Sequence, residues 1–226
     1  GQGEFSVHMD GTFQKPQVGG HAHFKDFAFA TFGFGELDSD FNLERHVQAV
    51  RFPELIAKKG RSRYIARDFL MDFNDGRLLV DAGITLERFA LQDFYHVFHY
   101  EADERYTPYQ GLVSGPTHVR YTRGFPGDGA NGTMHADAEL TLDEADLEGF
   151  HFEKGQAIGS WHWRDHTLGY RAGQLDIERL SLRKGEGTVN ASGRMNYGGK
   201  LDFVLHGFKL RGRFGLIETK PRPGDK

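Results

Sequence analysis

The sequence predicts an all-β fold, in the form of an elongated, curved and mostly antiparallel repeat sheet with an apolar concave face. Three observations predict it. The chain repeats itself, its apolar residues recur in doublets at strand spacing, and Gly-containing dipeptides separate the apolar segments.

The internal repeat is clearest in the middle of the chain. Gly76–Phe94 reads GRLLVDAGITLERFALQDF and Gly132–Phe150 reads GTMHADAELTLDEADLEGF, and both match G-x-x-x-x-D-A-x-[I/L]-T-L-[E/D]-x-x-x-L-x-x-F without a gap. Weaker matches begin near residues 20 and 187. We therefore expect one β-repeat domain over residues 1–217, built from about four units of about 55 residues that start near 20, 76, 132 and 187. The polar segment 218–226 is expected to be a disordered tail.

Apolar doublets predict curved strands. Two apolar residues one position apart share a strand face, and the next doublet follows after two intervening residues. A flat strand would reverse its face at that step, so we expect a β-bulge or bend that restores the facing and curves the strand. The residues expected to line the resulting apolar face are Phe27, Phe29, Phe32, Phe34, Ile84, Leu86, Phe89, Leu91, Phe94, Leu140, Leu142, Leu147, Phe150, Phe152, Leu175, Ile177, Leu180, Leu182, Phe203, Leu205 and Phe208.

Glycines mark the expected turns, because Asn-Gly, Asp-Gly and Gly-Gly tolerate the positive φ of tight hairpins. The segment Asn42–Lys59 is compatible with a helix but contains Pro53, so it is expected to be either one helix or an irregular excursion. The expected turns lie at Gly19–Gly20, Asp75–Gly76, Asn131–Gly132, Gly185–Gly187 and Gly198–Gly199.

Composition excludes several classes of function. The 226 residues include 30 Gly and 20 Phe, and Gly occurs at roughly twice its usual share. A net charge of -4 gives no electrostatic footprint for nucleic acid, and the sequence contains no run of about 18 apolar residues. With no Cys, thiol catalysis, thiolate metal sites and disulfides are excluded.

Two segments resemble the TamB and AsmA-like proteins of Gram-negative bacteria. Phe5–Phe24, FSVHMDGTFQKPQVGGHAHF, is similar to their strand–turn segment with its glycine, proline and second glycine strand. Leu175–Met195, LDIERLSLRKGEGTVNASGRM, resembles their paired apolar doublets followed by a glycine turn and an alternating strand.

The resemblance implies a segment of a long periplasmic chain anchored in the inner membrane. In that family β-rich repeats form a half-open trough (a β-taco) with an apolar lining, implicated in moving phospholipid between the inner and outer membranes and in outer-membrane protein assembly. The implied partners are phospholipid acyl chains, the rest of a longer envelope-spanning chain and an outer-membrane Omp85-type barrel.

The residue pattern is compatible with that role. An apolar face that the chain does not cover can hold acyl chains, at about 0.8 kcal/mol per buried CH₂. A charge at Leu142 or Phe89 is then expected to block lipid passage without disturbing strand pairing. The competing interpretation of the doublets is an ordinary sandwich or β-solenoid core, and 145–150 also resembles a step of a quadrilateral β-helix.

Signatures of catalysis and metal binding are weak. HExxH, GxSxG, a P-loop and a helix-opening GxGxxG are missing, so a non-enzymatic chain without cofactor is expected. The pairs His21/His23, His96/His99 and His162/His166 are expected on the surface or groove rim, because zinc usually needs three or four ligands. Trp161 and Trp163 share a face. With nearby carboxylates they support the alternative of a carbohydrate-binding or carbohydrate-active β-helix or sandwich, and a third possibility is a structural array for adhesion.

Overall fold

The computed structural model describes residues 2–29, 32–44, 48–97, 109–124, 132–147, 149–164, 173–196 and 200–209. The expected tail at 218–226, the turn at Gly198–Gly199, and His99 and His166 lie outside these residues. The division into four units remains a prediction.

The described chain forms one antiparallel sheet of twelve strands in sequence order, in which each strand pairs with its neighbours in sequence and the first and last strands form the edges. The all-β antiparallel prediction is therefore confirmed. A 3-10 turn at Asn74–Gly76 and helix α1 (Leu91–Val97) interrupt the succession of strands. The strands are β1 Gly3–Thr12, β2 Lys15–Phe29, β3 Phe32–Glu44, β4 Ala49–Lys59, β5 Ser62–Asp72, β6 Arg77–Ala90, β7 Tyr109–Gly124, β8 Thr133–Leu147, β9 Phe150–Arg164, β10 Gly173–Lys184, β11 Gly187–Asn196 and β12 Lys200–Lys209.

The register of the sheet separates an apolar face from a polar face. In β8 one face carries Met134, Ala136, Ala138, Leu140 and Leu142, and the other carries Thr133, His135, Asp137, Glu139 and Thr141. Directly paired residues of neighbouring strands point to the same side. The apolar face is therefore the face of Leu142 and of the residues in register with it, and the polar face is the face of Asp137.

Bulges keep the apolar doublets on one face, as the sequence predicts. Between Leu86 and Phe89, β6 advances three residues while β7 advances two, from Gly115 to Val113. The three-residue step in β6 contains Arg88, which has a φ of 48°. The equivalent repeat position in β8, Glu144, has a φ of 53°. The extra residue in this left-handed conformation returns the side chains that follow it to the apolar face.

Two of the expected bulges are instead hairpin turns. Phe29 pairs with Phe32 across β2 and β3, and Leu147 pairs with Phe150 across β8 and β9. The prediction of a bulge at these steps is wrong because a two-residue hairpin also leaves its flanking residues on one face. Leu91 is a further correction, because it begins α1 and does not continue a strand.

The two alternatives for Asn42–Lys59 are both wrong, because the segment contains the end of β3 and all of β4. Its Pro53 lies in the register shift between Ser39/Leu55 and Asn42/Arg51, and bulges are among the few positions in a sheet that tolerate proline. The turn expected at Gly19–Gly20 is also wrong, since both residues lie inside β2. Asp75–Gly76 and Gly185 do form turns.

Helix α1 is fixed to the start of β5 by a buried hydroxyl. Ser62 is 2% exposed, and its Oγ donates to the Asp93 carboxylate and accepts from the backbone N–H of Ala90. Asp93 also fills the space beside Gly60, whose φ is +57°. Among the described residues, no helix has the length and hydrophobicity needed to cross a bilayer.

Histidine–aspartate contacts recur along the polar face. His21 contacts Asp40 at 2.9 Å, His23 contacts Asp38 at 3.1 Å, and His118 on β7 contacts Asp81 at 2.7 Å. Within the described residues, no group of three or more His, Asp or Glu side chains is arranged to hold a metal ion. The hydrogen bond that the His21 ring donates to the Asp40 carboxylate is the largest cause that raises the pKa of His21 above its ordinary value of 6.5.

The bulge geometry predicts an effect of glycine. Glu144→Gly should raise the free energy of unfolding by about 0.5–1 kcal/mol, because Gly adopts a positive φ without the steric cost that a Cβ imposes. Gln156→Gly, at an exposed extended position of neighbouring β9, should lower it by about the same amount. Urea unfolding of both variants measures the difference, and equal destabilisation by both would contradict the account of the bulge.

The raised pKa of His21 predicts a pH-dependent contribution to stability. The imidazolium–Asp40 pair stabilises the fold fully below the unfolded pKa, and the contribution disappears as pH rises through the higher folded pKa. Asp40→Asn should therefore destabilise the chain more at about pH 5.5 than at about pH 8.5. In the His21→Gln background that difference should vanish. Urea titrations of the four proteins at both pH values give eight free energies of unfolding, and an unchanged difference in the His21→Gln background would rule out the pair as its source.

Candidate functional site

The apolar face carries a packed cluster at its centre. Register links its members from strand to strand: Leu37 pairs with Ala57, Ala57 with Tyr64, and Val113 with both Phe89 and Leu142. The buried members of the cluster are Leu37, Leu55, Ala57, Tyr64, Ala66, Phe89, Val113, Leu142 and Ala145.

Aromatic rings extend this cluster in two directions. The centroid of Phe27 lies 5.6 Å from that of Phe24 and 6.0 Å from that of Phe34. Phe52 lies between Phe41 at 6.4 Å and Phe69 at 5.4 Å. Each separation falls in the range in which tilted and edge-on rings attract, so the rings form continuous apolar rows across neighbouring strands.

Tyr64 places a hydroxyl group within the apolar face, where a backbone carbonyl accepts its hydrogen bond. Its hydroxyl donates to the backbone carbonyl of Phe34 on β3, while its ring packs edge-on to Phe89 at 5.8 Å. Burial raises the pKa of Tyr64 above its ordinary value, so the phenol remains neutral. The face therefore has no charge at its centre from this group.

No second layer of strands packs on the apolar face in the described part of the chain. Extensive contacts join strands adjacent in sequence, and α1 adds contacts with β3, β6 and β7. At the β1 edge the apolar side chains are open to solvent: Phe5 is 70% exposed, Val7 56% and Met9 68%. The face is thus packed in the middle and uncovered toward this edge.

The residues expected to line the groove fall into distinct groups. Phe89, Leu142 and Leu182 are buried, at 6%, 8% and 3% exposure, and Phe150 is exposed at the β8–β9 hairpin. The backbones of Phe29, Phe32, Phe203, Leu205 and Phe208 lie in β2, β3 and β12 and that of Phe94 in α1, but their side chains lie outside the described part of the structure. Half-buried are Phe27, Phe34, Ile84, Leu86, Leu91, Leu140, Leu147, Phe152, Leu175, Ile177 and Leu180.

The sequence interpretation missed the contribution of β4 and β5. Val50 and Phe52 form a doublet followed after two residues by Leu55 and Ala57, the same spacing that marks the other strands. Tyr64 and Ala66 begin an equivalent pattern that continues at Phe69 and Met71. The doublet rule would have identified both strands, but the helix-compatible composition of Asn42–Lys59 concealed it.

The carbohydrate alternative loses its geometric basis. Trp161 pairs with Ala136 and Leu175 on the apolar face, while Asp137 and Asp176 pair with Ser160 on the polar face. Indole and carboxylates therefore lie on opposite sides of the sheet. The open sheet is also neither a β-helix nor a sandwich.

An open cleft of about 550 Å³ crosses the polar face between β5 and β10. Its rim includes Arg67, His118, Asp137, Glu139 and Glu178. Its floor passes Gly83, beside which a Cβ would find open space. The cleft results from the small floor residues and is separate from the apolar cluster on the other side of the sheet.

No protein-family model, no curated protein and no solved structure matches the chain. The resemblance to TamB and AsmA-like proteins therefore rests on the sequence pattern alone, and the apolar face is the candidate functional site on physical grounds.

Proposed function

We propose that the apolar face is concave and binds lipid acyl chains, and that the chain is a non-enzymatic segment of a periplasmic lipid conduit between the inner and outer membranes. The observation that supports this most is an apolar face that runs across the sheet without a covering layer of strands in the described residues. Soluble proteins rarely leave a large contiguous apolar surface open unless it binds something.

Curvature follows from burial. On a flat single sheet, side chains of one face stay open to solvent from above, yet Phe89, Val113 and Leu142 are only 6%, 5% and 8% exposed. Helix α1 also contacts both β6 and β3, which are separated by two strands. We infer that the sheet curls around the apolar face, so that its side chains cover one another.

The gain from acyl binding is large enough to hold a lipid without a dedicated headgroup site. At about 0.8 kcal/mol per buried CH₂, a sixteen-carbon chain gains on the order of 10 kcal/mol before ordering costs. The half-buried residues Leu140, Leu175, Ile177 and Leu180 are the best placed to contribute, because each still has surface to bury.

A conduit also needs a lining with little variation from strand to strand. Leu140, Ala157 and Leu180 succeed one another across β8, β9 and β10, and Leu175 and Ile177 continue the same face. Such a row offers an acyl chain similar contacts at each step, so no deep local minimum traps it. Continuation into further repeats of a longer chain, ending at an Omp85-type partner, is part of this proposal.

Purification of the native chain gives the direct test. Native mass spectrometry of detergent-free protein should show phospholipid adducts that survive size-exclusion chromatography, because the acyl chains are held by apolar burial. Extraction and lipid analysis identify the headgroups. Protein that stays free of lipid after incubation with phosphatidylethanolamine and phosphatidylglycerol vesicles would contradict the proposal.

A matched pair of variants locates the binding face. Ile177→Glu places a charge on the apolar face and should reduce bound lipid at least tenfold, because a carboxylate loses hydration beside an acyl chain. Ile158→Glu makes the same change at a half-buried residue that pairs with Glu139 on the polar face, and lipid should remain. Quantitative lipid extraction measures both.

These positions replace Leu142 and Phe89 as test sites. Both of those residues are buried in the packed cluster, so a charge there should also destabilise the fold, and a loss of lipid would not by itself locate the binding face. Circular dichroism confirms that the Ile177 and Ile158 variants are folded. Equal lipid loss in the two variants would contradict the assignment to the apolar face.

A further inference from the structure

Two histidines from different strands meet on the polar face. His135 on β8 and His162 on β9 are direct register partners. Their Nδ1 atoms are 3.0 Å apart, and their ring centroids are separated by 4.3 Å with a tilt of 41°. They are 27 residues apart in sequence, so only the pairing of the strands brings them together.

The Asp137 carboxylate determines the tautomer of the neutral His135 ring. Nε2 of His135 lies 2.8 Å from Oδ2 of Asp137, and an ionised carboxylate can only accept a hydrogen bond. Nε2 therefore carries the proton in the neutral ring, and Nδ1 presents a lone pair toward His162. A carboxylate bonded to the outer nitrogen of an imidazole is the arrangement that orients metal-ligating histidines in proteins.

The spacing of the two nitrogens suits a shared cation. Two metal–nitrogen bonds of about 2.0–2.1 Å place their nitrogens about 2.9 Å apart at a right angle and about 3.3 Å apart at the tetrahedral angle. The observed 3.0 Å lies within that interval. Rotation of each ring about χ2 would be needed to aim both lone pairs at one point beside the line that joins the nitrogens, and water would complete the coordination.

We propose that His135 and His162 bind one divalent first-row transition cation through their Nδ1 atoms, with Cu²⁺ held more tightly than Zn²⁺. Imidazole favours these cations over Mg²⁺ and Ca²⁺, which take oxygen ligands. On binding, the proton that lies between the two Nδ1 atoms moves to Nε2 of His162, which faces Ser160 Oγ at 3.5 Å. No net proton is released.

The charged side chains around the two histidines include carboxylates that offset the charge of a bound cation. Arg120 of β7 lies opposite His135, and Asp81 of β6, which contacts His118, lies opposite Arg120, so a second carboxylate besides Asp137 lies on this part of the face. The other histidines of this face are arranged differently. His21 directs Nδ1 at Asp40 and Nε2 at Asp38, 3.4 Å away, and His118 directs Nε2 at Asp81, so their nitrogens meet carboxylates and not a second imidazole.

Calorimetric titration of untagged, EDTA-treated protein tests the site with Cu²⁺, Zn²⁺ and Mg²⁺ as separate probes. We expect one site for Cu²⁺, weaker binding of Zn²⁺ and none of Mg²⁺. His135→Gln and His162→Gln should each lower the Cu²⁺ affinity at least tenfold. Asp137→Asn should lower it about tenfold, because it removes only the partner that orients His135. His118→Gln and His21→Gln should leave it unchanged.

Several results would overturn the assignment. Failure to bind Cu²⁺ or Zn²⁺, equal binding of Mg²⁺, or loss of binding in His21→Gln or His118→Gln would each do so. NMR adds a readout that misfolding does not mimic, because Cu²⁺ should broaden the imidazole Hε1 signals of His135 and His162 before any other histidine. The site lies on the face opposite the proposed lipid surface, so lipid binding by the Cu²⁺-free protein remains an independent measurement.

Discussion

The whole structure depends on keeping apolar side chains on one face of a long sheet. Side chains of a strand alternate with a period of two, so any unpaired extra residue sends every following side chain to the other face. The chain meets this constraint wherever a doublet is followed by two residues. Arg88 and Glu144 adopt a left-handed conformation at equivalent repeat positions, and the facing is restored on the far side of each. Without that correction, Phe89 and Ala145 would enter solvent and charged neighbours would replace them in the cluster.

The packed cluster limits what the apolar face can do. Phe89, Val113 and Leu142 bury one another, with no second layer of strands over them among the described residues. The hydrogen bond between Ser62 and Asp93 fixes α1 beside them. These residues stabilise the fold, so they are not free to exchange protein contacts for lipid contacts. The proposed lipid binding would instead use half-buried positions such as Leu140, Leu175 and Ile177. A single sheet that binds lipid must divide its apolar residues between these two tasks.

Sequence reasoning predicted the sheet and most of its apolar face because period-two doublets leave few other interpretations. It could not distinguish bulge from hairpin, since Phe29/Phe32 and Leu86/Phe89 have the same spacing and the same facing in the folded chain. It also misjudged β4, where helix-forming residues fill a strand and Pro53 occupies a bulge. In β4 the pairing with β3 and β5 outweighs the local propensity for helix. The His135–His162 contact could not be predicted from the sequence, because it depends on the register of β8 and β9.

The polar face follows from the same alternation. Once every second residue is committed to the apolar face, its neighbours are placed in cross-strand rows on the other side, at the separations that direct pairs impose. Rows of histidine and aspartate then meet whether or not the two residues are close in sequence, as Asp81 and His118 do. The β8–β9 register that aligns Leu140 with Ala157 on one side therefore also aligns His135 with His162 on the other. A slip of one residue between β8 and β9 would remove both arrangements, so the proposed lipid surface and the proposed cation site depend on one strand pairing while remaining chemically separate.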